Sequence, residues 1–228
     1  MSDLDLSRRI RSFVIRAGRM TDSQRSGWEV GFPKHGFTLS EAQFDWDESF
    51  EESGLRVLEI GFGMGDSLVA MAEQNPAFRY LGIEVHTPGV GKLLAEIERR
   101  GITNIKVFAD DAVQVLEEMI PASSVDLMQI FFPDPWHKKR HHKRRLIQAD
   151  FVSLAVSRLS PGGRLHLATD WQPYAEHMMD VLSSTETLKN LAGDQQFSLR
   201  PESRPETKFE RRGHRLGHGV WDLVFSKD

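Results

Sequence analysis

Leu55-Arg56-Val57-Leu58-Glu59-Ile60-Gly61-Phe62-Gly63-Met64-Gly65-Asp66-Ser67 is the stretch whose reading decides the fold. Leu55 to Ile60 is an apolar run of strand length, glycines follow at every second position, and a helical pattern opens near Ser67 and should stop before Pro76. A glycine-rich turn that hands a strand to a helix lets the backbone approach a ligand closely and aims the helix's unpaired N–H groups at it.

Outward from that turn, apolar segments alternate with helical patterns from about residue 55 to 170, as in βαβ units of a mostly parallel sheet. Strands are predicted at Tyr80–Val85, Ile105–Phe108, Val125–Phe132 and Arg164–Ala168, and helices at Val90–Arg100, Ala112–Ile120, Ala149–Leu159 and near Tyr174–Leu182. Val125–Phe132 is too apolar for an exposed edge and belongs in the middle of the sheet. Ser160-Pro161-Gly162-Gly163 reads as a turn, and two late strands close the chain. No repeat or long linker interrupts the pattern. The expectation is one domain over 54–228, preceded by an arginine-rich, partly mobile arm over 1–53.

Composition narrows the function. The 228 residues are 39% hydrophobic and long enough for one sizeable core, and no run of about 18 apolar residues suggests a membrane span. The absence of cysteine excludes a disulfide framework, thiol catalysis and Cys-ligated zinc. A charged opening, MSDLDLSRRI, lacks the apolar core of a signal peptide, and the chain reads as cytoplasmic.

The formal net charge of -4 hides strong segregation. Six arginines lie within residues 1–25, six acids and no base within 41–52, and His137 to Arg145 holds six permanent cations and three histidines without an acid. Such a run attracts a polyanion even on an acidic protein, although a solvated face would look the same. The three histidines stand among lysines and arginines, a poor setting for a metal, and none is expected.

A dinucleotide fingerprint G-x-G-x-x-G would need glycine where Asp66 stands, and an acid there would repel a pyrophosphate. Glu59-x-Gly61-x-Gly63-x-Gly65 instead resembles the first motif of class I S-adenosylmethionine-dependent methyltransferases, whose ligand carries a sulfonium and an ammonium. Glu59 suits that cationic end. Glu84 ends the second strand 19 residues after Gly65, the spacing at which a carboxylate accepts both ribose hydroxyls of an adenosine. Asp110 and Asp111 close the third strand. The resemblance implies that one of them, Asp111 before Asp110, accepts from the adenine amine, while the other caps the next helix.

Phe131-Phe132-Pro133-Asp134-Pro135-Trp136-His137-Lys138-Lys139-Arg140-His141 makes the resemblance specific. Together with Arg11 to Thr21, Ala168-Thr169-Asp170 and Thr207-Lys208-Phe209-Glu210, it resembles the bacterial tRNA (guanine-N7-)-methyltransferases over nearly the whole chain; Ile15 stands where an arginine is common. The resemblance implies a Rossmann-like, doubly wound α/β fold with a mostly parallel seven-stranded sheet. It implies S-adenosylmethionine as cofactor, S-adenosylhomocysteine as product, and the guanine of the tRNA variable loop as acceptor. It implies no obligate protein partner, and monomer and homodimer both stay open.

Guanine N7 already exposes a lone pair, so transfer needs alignment and no general base. A fixed carboxylate stabilises the positive charge that the purine gains, and Asp134, between two prolines beyond a central strand, is the candidate for this and for cofactor contact. Guanine also offers N1–H and N2–H₂ donors, which Asp170 and Glu210 suit. By resemblance the substrate site comprises Lys138, Asp170, Thr207, Lys208, Phe209 and Glu210, and Arg140, His141, His142, Lys143, Arg144 and Arg145 meet tRNA phosphates. Trp136 is read as a core residue before a stacking surface. Three alternatives follow from the same residues: a methyltransferase on another RNA, an NAD-dependent oxidoreductase, and a non-catalytic RNA-binding module.

Overall fold

Strand β2 (Arg56–Ile60) is the centre from which the sheet grows in both directions. The computed structural model describes residues 12–13, 18–40, 42–206, 210 and 219–228. Ahead of β2 come α1 (Asp22–His35), β1 (Gly36–Phe37) and a single turn α2 (Trp46–Ser49). After it come α3 (Asp66–Gln74), β3 (Arg79–Ile83), α4 (Thr87–Arg100), β4 (Ile105–Phe108), α5 (Ala112–Glu118) and β5 (Val125–Phe131). A 3-10 helix (Lys139–Arg144), α6 (Ala149–Arg158), β6 (Leu159–Thr169), α7 (Gln172–Ser183), β7 (Leu188–Asn190) and β8 (Trp221–Lys227) complete it.

The sheet runs β1-β4-β3-β2-β5-β6-β8-β7, with every pairing parallel except those of β8 to β6 and to β7. From β2 the chain first winds outward through β3 and β4, then returns to pair β5 on the other side of β2. That reversal opens a crevice at the carboxyl ends of β2 and β5. Two apolar layers cover the sheet. Leu68 and Met71 of α3, Leu93, Leu94 and Ile97 of α4, and Trp28 and Phe32 of α1 pack on one face. Leu116 of α5, Val152 of α6 and Tyr174 and Met178 of α7 pack on the other.

The sheet has eight strands rather than seven, because Gly36–Phe37 adds a short parallel edge to β4. Residues 51–53 are exposed, and part of the segment ahead of them packs against the domain that follows. Thr21 opens α1 with a capping box, accepting from Gln24 N at 3.3 Å while its own N–H donates to the Gln24 side chain at 2.8 Å. The helix then crosses α4 backbone to backbone: a Cβ on Gly27 would stand 2.3 Å from Gly91 O. Phe44, Trp46 and Phe50 enter the core, with Trp46 stacked on Phe50 at 5.8 Å. The expected turn Ser160–Gly163 lies within β6 as a bulge: Leu159 pairs with Val125 and Arg164 with Leu127, so Ser160 to Gly163 are the extra residues opposite Asp126 of β5. Among the described residues no helix is long and apolar enough to cross a membrane.

Candidate active site

At the crevice a cavity of about 220 Å³ is walled by four strand ends: Ile60 and Gly61 at the end of β2, Glu84 after β3, Asp110 and Asp111 after β4, and Phe131 to Asp134 at the end of β5. Its outer side carries Ser12 and Phe13, far away in sequence. The wall residues lie at or just past the carboxyl ends of parallel strands, and the first residue beyond each of β2, β3 and β5 still donates its N–H to a neighbouring strand: Gly61 to Ile83 O, Glu84 to Phe108 O and Phe132 to Ala168 O.

The glycine turn begins at the cavity, where Gly61 lines its wall. Gly61, Gly63 and Gly65 have φ of 77°, 59° and 77°, in the left-handed region that a side chain disfavours. At Gly65, the N-cap of α3, a Cβ would also come within 2.8 Å of Leu93. Asp66 is ion-paired with Lys92.

Glu84 accepts from Gly63 N at 2.8 Å through Oε2 and from His86 N at 2.9 Å through Oε1. Those two bonds fix the carboxylate at the cavity wall, and its remaining lone pairs are available to hydroxyl donors. Glu59 is 3% exposed, and strand alternation puts it on the face that carries Val57 rather than in the cavity wall with Ile60. Its Oε2 has no hydrogen-bond partner. Burial first, and then the nearby Glu84 charge, push its pKa up to about 8. A buried carboxylate held so far above its ordinary range lacks a cation, which the ammonium of S-adenosylmethionine would provide.

Beyond β4 the helix cap expected of Asp110 is made by Asp111. Asp111 caps α5, accepting from Val113 N at 2.8 Å and Gln114 N at 3.4 Å through one oxygen, Oδ1. Asp110 has its pKa raised, by burial and then by Asp111. The cap leaves Asp111 Oδ2 for an amine, and both residues reach the cavity.

Asp134 is exposed at the tip of a loop held under strain. Phe132 and Trp136, the bulky residues that bracket Pro133-Asp134-Pro135, have φ of 53° and 47°. Left-handed backbone at such residues costs about 1–3 kcal/mol each and persists only where the surroundings hold it. Three contacts do so: Phe132 N to Ala168 O at 2.8 Å, Trp136 Nε1 to Ser12 O at 3.0 Å, and Arg145 Nε to Pro135 O at 2.9 Å. Because Phe131 pairs with Ala168, Asp134 and Asp170 emerge from adjacent strand ends. Asp170 is exposed there.

The basic run splits. Lys138, Lys139, Arg140 and Lys143 are exposed, and His141, His142 and Arg144 are half-buried. Partial burial, then the surrounding Arg140, Arg144, Lys138 and Lys143, hold the His141 pKa below its ordinary value. Arg145 departs from the expected phosphate face: it is 4% exposed, lies over the Tyr174 ring at 4.7 Å and supports the Asp134 loop through Pro135. Trp136, expected in the core, is half-buried and braces the loop, bonded to Ser12 O and packed by Arg144 at 4.9 Å.

Thr207, Lys208 and Phe209 lie outside the described residues, as do the arm residues Arg8, Arg9, Arg11 and Arg16. Glu210 is described, and it is 2% exposed and ion-paired to Arg204. Arg204 was not singled out by sequence, nor were its further partners. It donates to Asp222 at 2.8 and 2.9 Å, Asp222 contacts His166 Nε2 at 2.8 Å, and the guanidinium lies 5.7 Å from the Phe131 and Phe132 rings. One signal was available: Asp222 and His166 each interrupt an apolar strand, where an ionisable side chain needs a buried partner.

A family model described as "Putative methyltransferase" matches residues 53–223. The tRNA (guanine-N(7)-)-methyltransferase of Pseudomonas fluorescens is 54% identical over 220 residues, 96% of this chain and 91% of the relative. Those of Pseudomonas savastanoi and Hydrogenovibrio crunogenus are 52% and 50% identical, again over 96% of this chain and over 90% and 92% of the relatives. Among solved structures, the 16S rRNA methyltransferase KamB has a TM-score of 0.58 at 19% identity, covering 82% of this chain and 95% of that one. The aminoglycoside resistance methyltransferase NpmB1 has 0.57 at 15%, covering 83% and 100%; both likenesses concern the fold. The oxidoreductase and the non-catalytic readings end here, because this chain belongs to the family of tRNA (guanine-N7-)-methyltransferases.

Proposed function

We propose that the acceptor is the guanine of the tRNA variable loop and that the cavity at the β2–β5 reversal receives S-adenosylmethionine. Glu59 faces the ammonium end, the turn of Gly61, Gly63 and Gly65 carries the methionine portion, Glu84 accepts from the ribose, and Asp111 accepts from the adenine amine. The observation that carries this reading is the meeting of Gly61, Glu84, Asp111 and Asp134 around one cavity, with Glu59, whose buried Oε2 has no hydrogen-bond partner, one residue before the Ile60 of its wall. Bound S-adenosylmethionine supplies a sulfonium methyl that the N7 lone pair attacks in line, sulfur keeping the electrons of the broken C–S bond.

This chain's residues align and stabilise, with no proton to remove. Asp134 stands where the purine gains positive charge, and a carboxylate fixed by a strained, braced loop stabilises that charge without reorganising. Asp170, exposed at its strand end, faces the N1–H and N2–H₂ edge, whereas Glu210, expected beside it, is buried with both oxygens on Arg204. Lys138 and the segment Thr207 to Phe209 complete the substrate contacts. Lys139, Arg140, Lys143 and the half-buried Arg144 give the tRNA backbone a positive face, with His141 and His142 among them.

The test is methyl transfer from labelled S-adenosylmethionine into unmodified tRNA, with nucleoside analysis and mapping of the labelled position, for wild type and Asp134→Ala. Labelled 7-methylguanosine in the variable loop, reduced about 100-fold or more in the variant, is the expected result. Label at another guanine would move the acceptor, and an unaffected Asp134→Ala would remove Asp134 from the chemistry.

A further inference from the structure

The fold leaves one tryptophan in solvent beside the substrate carboxylate Asp170. Trp171 is 38% exposed, directly after Asp170 and at the N-cap of α7. It provides no side-chain cap for the helix, a position that Ser, Thr, Asp or Asn fill to advantage. Its main chain is fixed all the same. Trp171 N donates to Thr169 Oγ1 at 3.3 Å, and Trp171 O accepts from Tyr174 N at 2.9 Å and Ala175 N at 3.0 Å. The indole meets the His137 ring edge to face, with centroids 4.4 Å apart and planes at 83°. His137 is three residues beyond Asp134 and next to the exposed Lys138, Lys139 and Arg140. The indole therefore follows Asp170 directly and packs on His137, the residue that joins the Asp134 loop to the positive run.

A base methylated within folded RNA must leave its stack, and an aromatic side chain returns the lost stacking energy. Stacking holds a purine by its face and leaves both edges free in the plane, so N7 and the N1/N2 edge can meet different carboxylates. The charge that the purine gains during transfer also draws it toward an electron-rich indole, an attraction larger in the transition state than in the ground state.

Resting on the assignment of this site to tRNA guanine, we propose that the Trp171 indole is the stacking face for the acceptor guanine and stabilises the cationic purine as the methyl transfers. Trp171→Phe keeps a weaker π face, whereas Trp171→Leu keeps an apolar surface and none. Two readouts are taken: steady-state kinetics on unmodified tRNA, and fluorescence of a tRNA carrying 2-aminopurine at the methylated position, or at its neighbour as a control. The expected result is a kcat order Trp, Phe, Leu with about a tenfold total fall, unchanged S-adenosylhomocysteine binding, and quenching at the acceptor position that Trp171→Leu abolishes. Wild-type kcat in Trp171→Leu, persistent quenching in that variant, or quenching only at the neighbouring nucleotide would overturn the stacking role. A wild type that forms no 7-methylguanosine would instead overturn the assignment beneath it, and this proposal with it.

Discussion

Arg204 grips Glu210 through two parallel hydrogen bonds, Nη1 to Oε2 at 2.7 Å and Nη2 to Oε1 at 2.8 Å, with both side chains out of solvent. The same guanidinium holds Asp222, which holds His166, and lies near the Phe131 and Phe132 rings at the root of the Asp134 loop. One buried cation thus ties the segment that ends in Glu210 to β8, β6 and the loop after β5. Burial alone would lower the Arg204 pKa, but the bonds to Glu210 and Asp222 raise it.

Removing this cation takes the shared guanidinium from two buried carboxylates, leaving Asp222 with His166 and Glu210 with Arg200 at 4.0 Å. Arg204→Met is expected to cost about 3–5 kcal/mol, or roughly 10 °C in Tm for a chain of this size. Thermal unfolding measures it. Arg204→Lys, which keeps the charge but loses the fork, should fall between the two.

The Glu59 carboxyl gives a pH signature to cofactor binding. Its pKa of about 8 lies above the ordinary 4.5, so the folded protein keeps a proton that the unfolded chain releases, and stability falls as pH rises between those values. A cation beside Glu59 favours the charged form, so binding releases this proton below about pH 8. The affinity for S-adenosylhomocysteine, which carries the same ammonium, should rise from about pH 6 to 8. Calorimetry in two buffers of different ionisation enthalpy counts the proton, and Glu59→Gln should abolish its release.

Exposed cations that meet phosphate are read through salt. Single substitutions of Lys139, Arg140 or Lys143 to Gln should weaken tRNA binding and lower the slope of log K against log salt by about one each. A slope that does not change removes that residue from the phosphate face.

Arg145 should behave differently from these neighbours despite its place in the same run. Arg145→Ala removes the bond to Pro135 O and the packing on Tyr174. The loop that carries Asp134 then loses its brace, and kcat should fall by about 10- to 100-fold, with the salt slope unchanged. Titrating tRNA affinity against salt beside a single-turnover assay separates the two effects.

The order of strands and helices from β2 to α7 is local information, and so it is legible in the chain. Glycines at alternate positions force a turn after Ile60, Pro133 ends β5, and 3.6-residue periodicity marks α4 with Gly101 in the left-handed region as its stop. These are constraints on φ and on which face is apolar, and they act within a few residues. The glycine turn, Glu84 and the Asp134 loop were found in this way.

Only the tertiary structure decided what each charged side chain faces. Arg145 looks identical to Arg144 in sequence, yet it is interior because Pro135 and Tyr174 lie above and below it. Asp111 rather than Asp110 caps α5, a choice set by where the helix axis begins. Residues 22–50 joined the domain through Gly27 against Gly91 and Phe44 in the core, contacts that no local pattern announces. Asp222 meets Arg204 across 18 residues and His166 across 56 because the sheet places β8 beside β6. The balance between hydration and a buried partner is settled only when distant segments are brought together, since the desolvation of an ion is repaid by a partner whose position the fold, and not the local sequence, supplies.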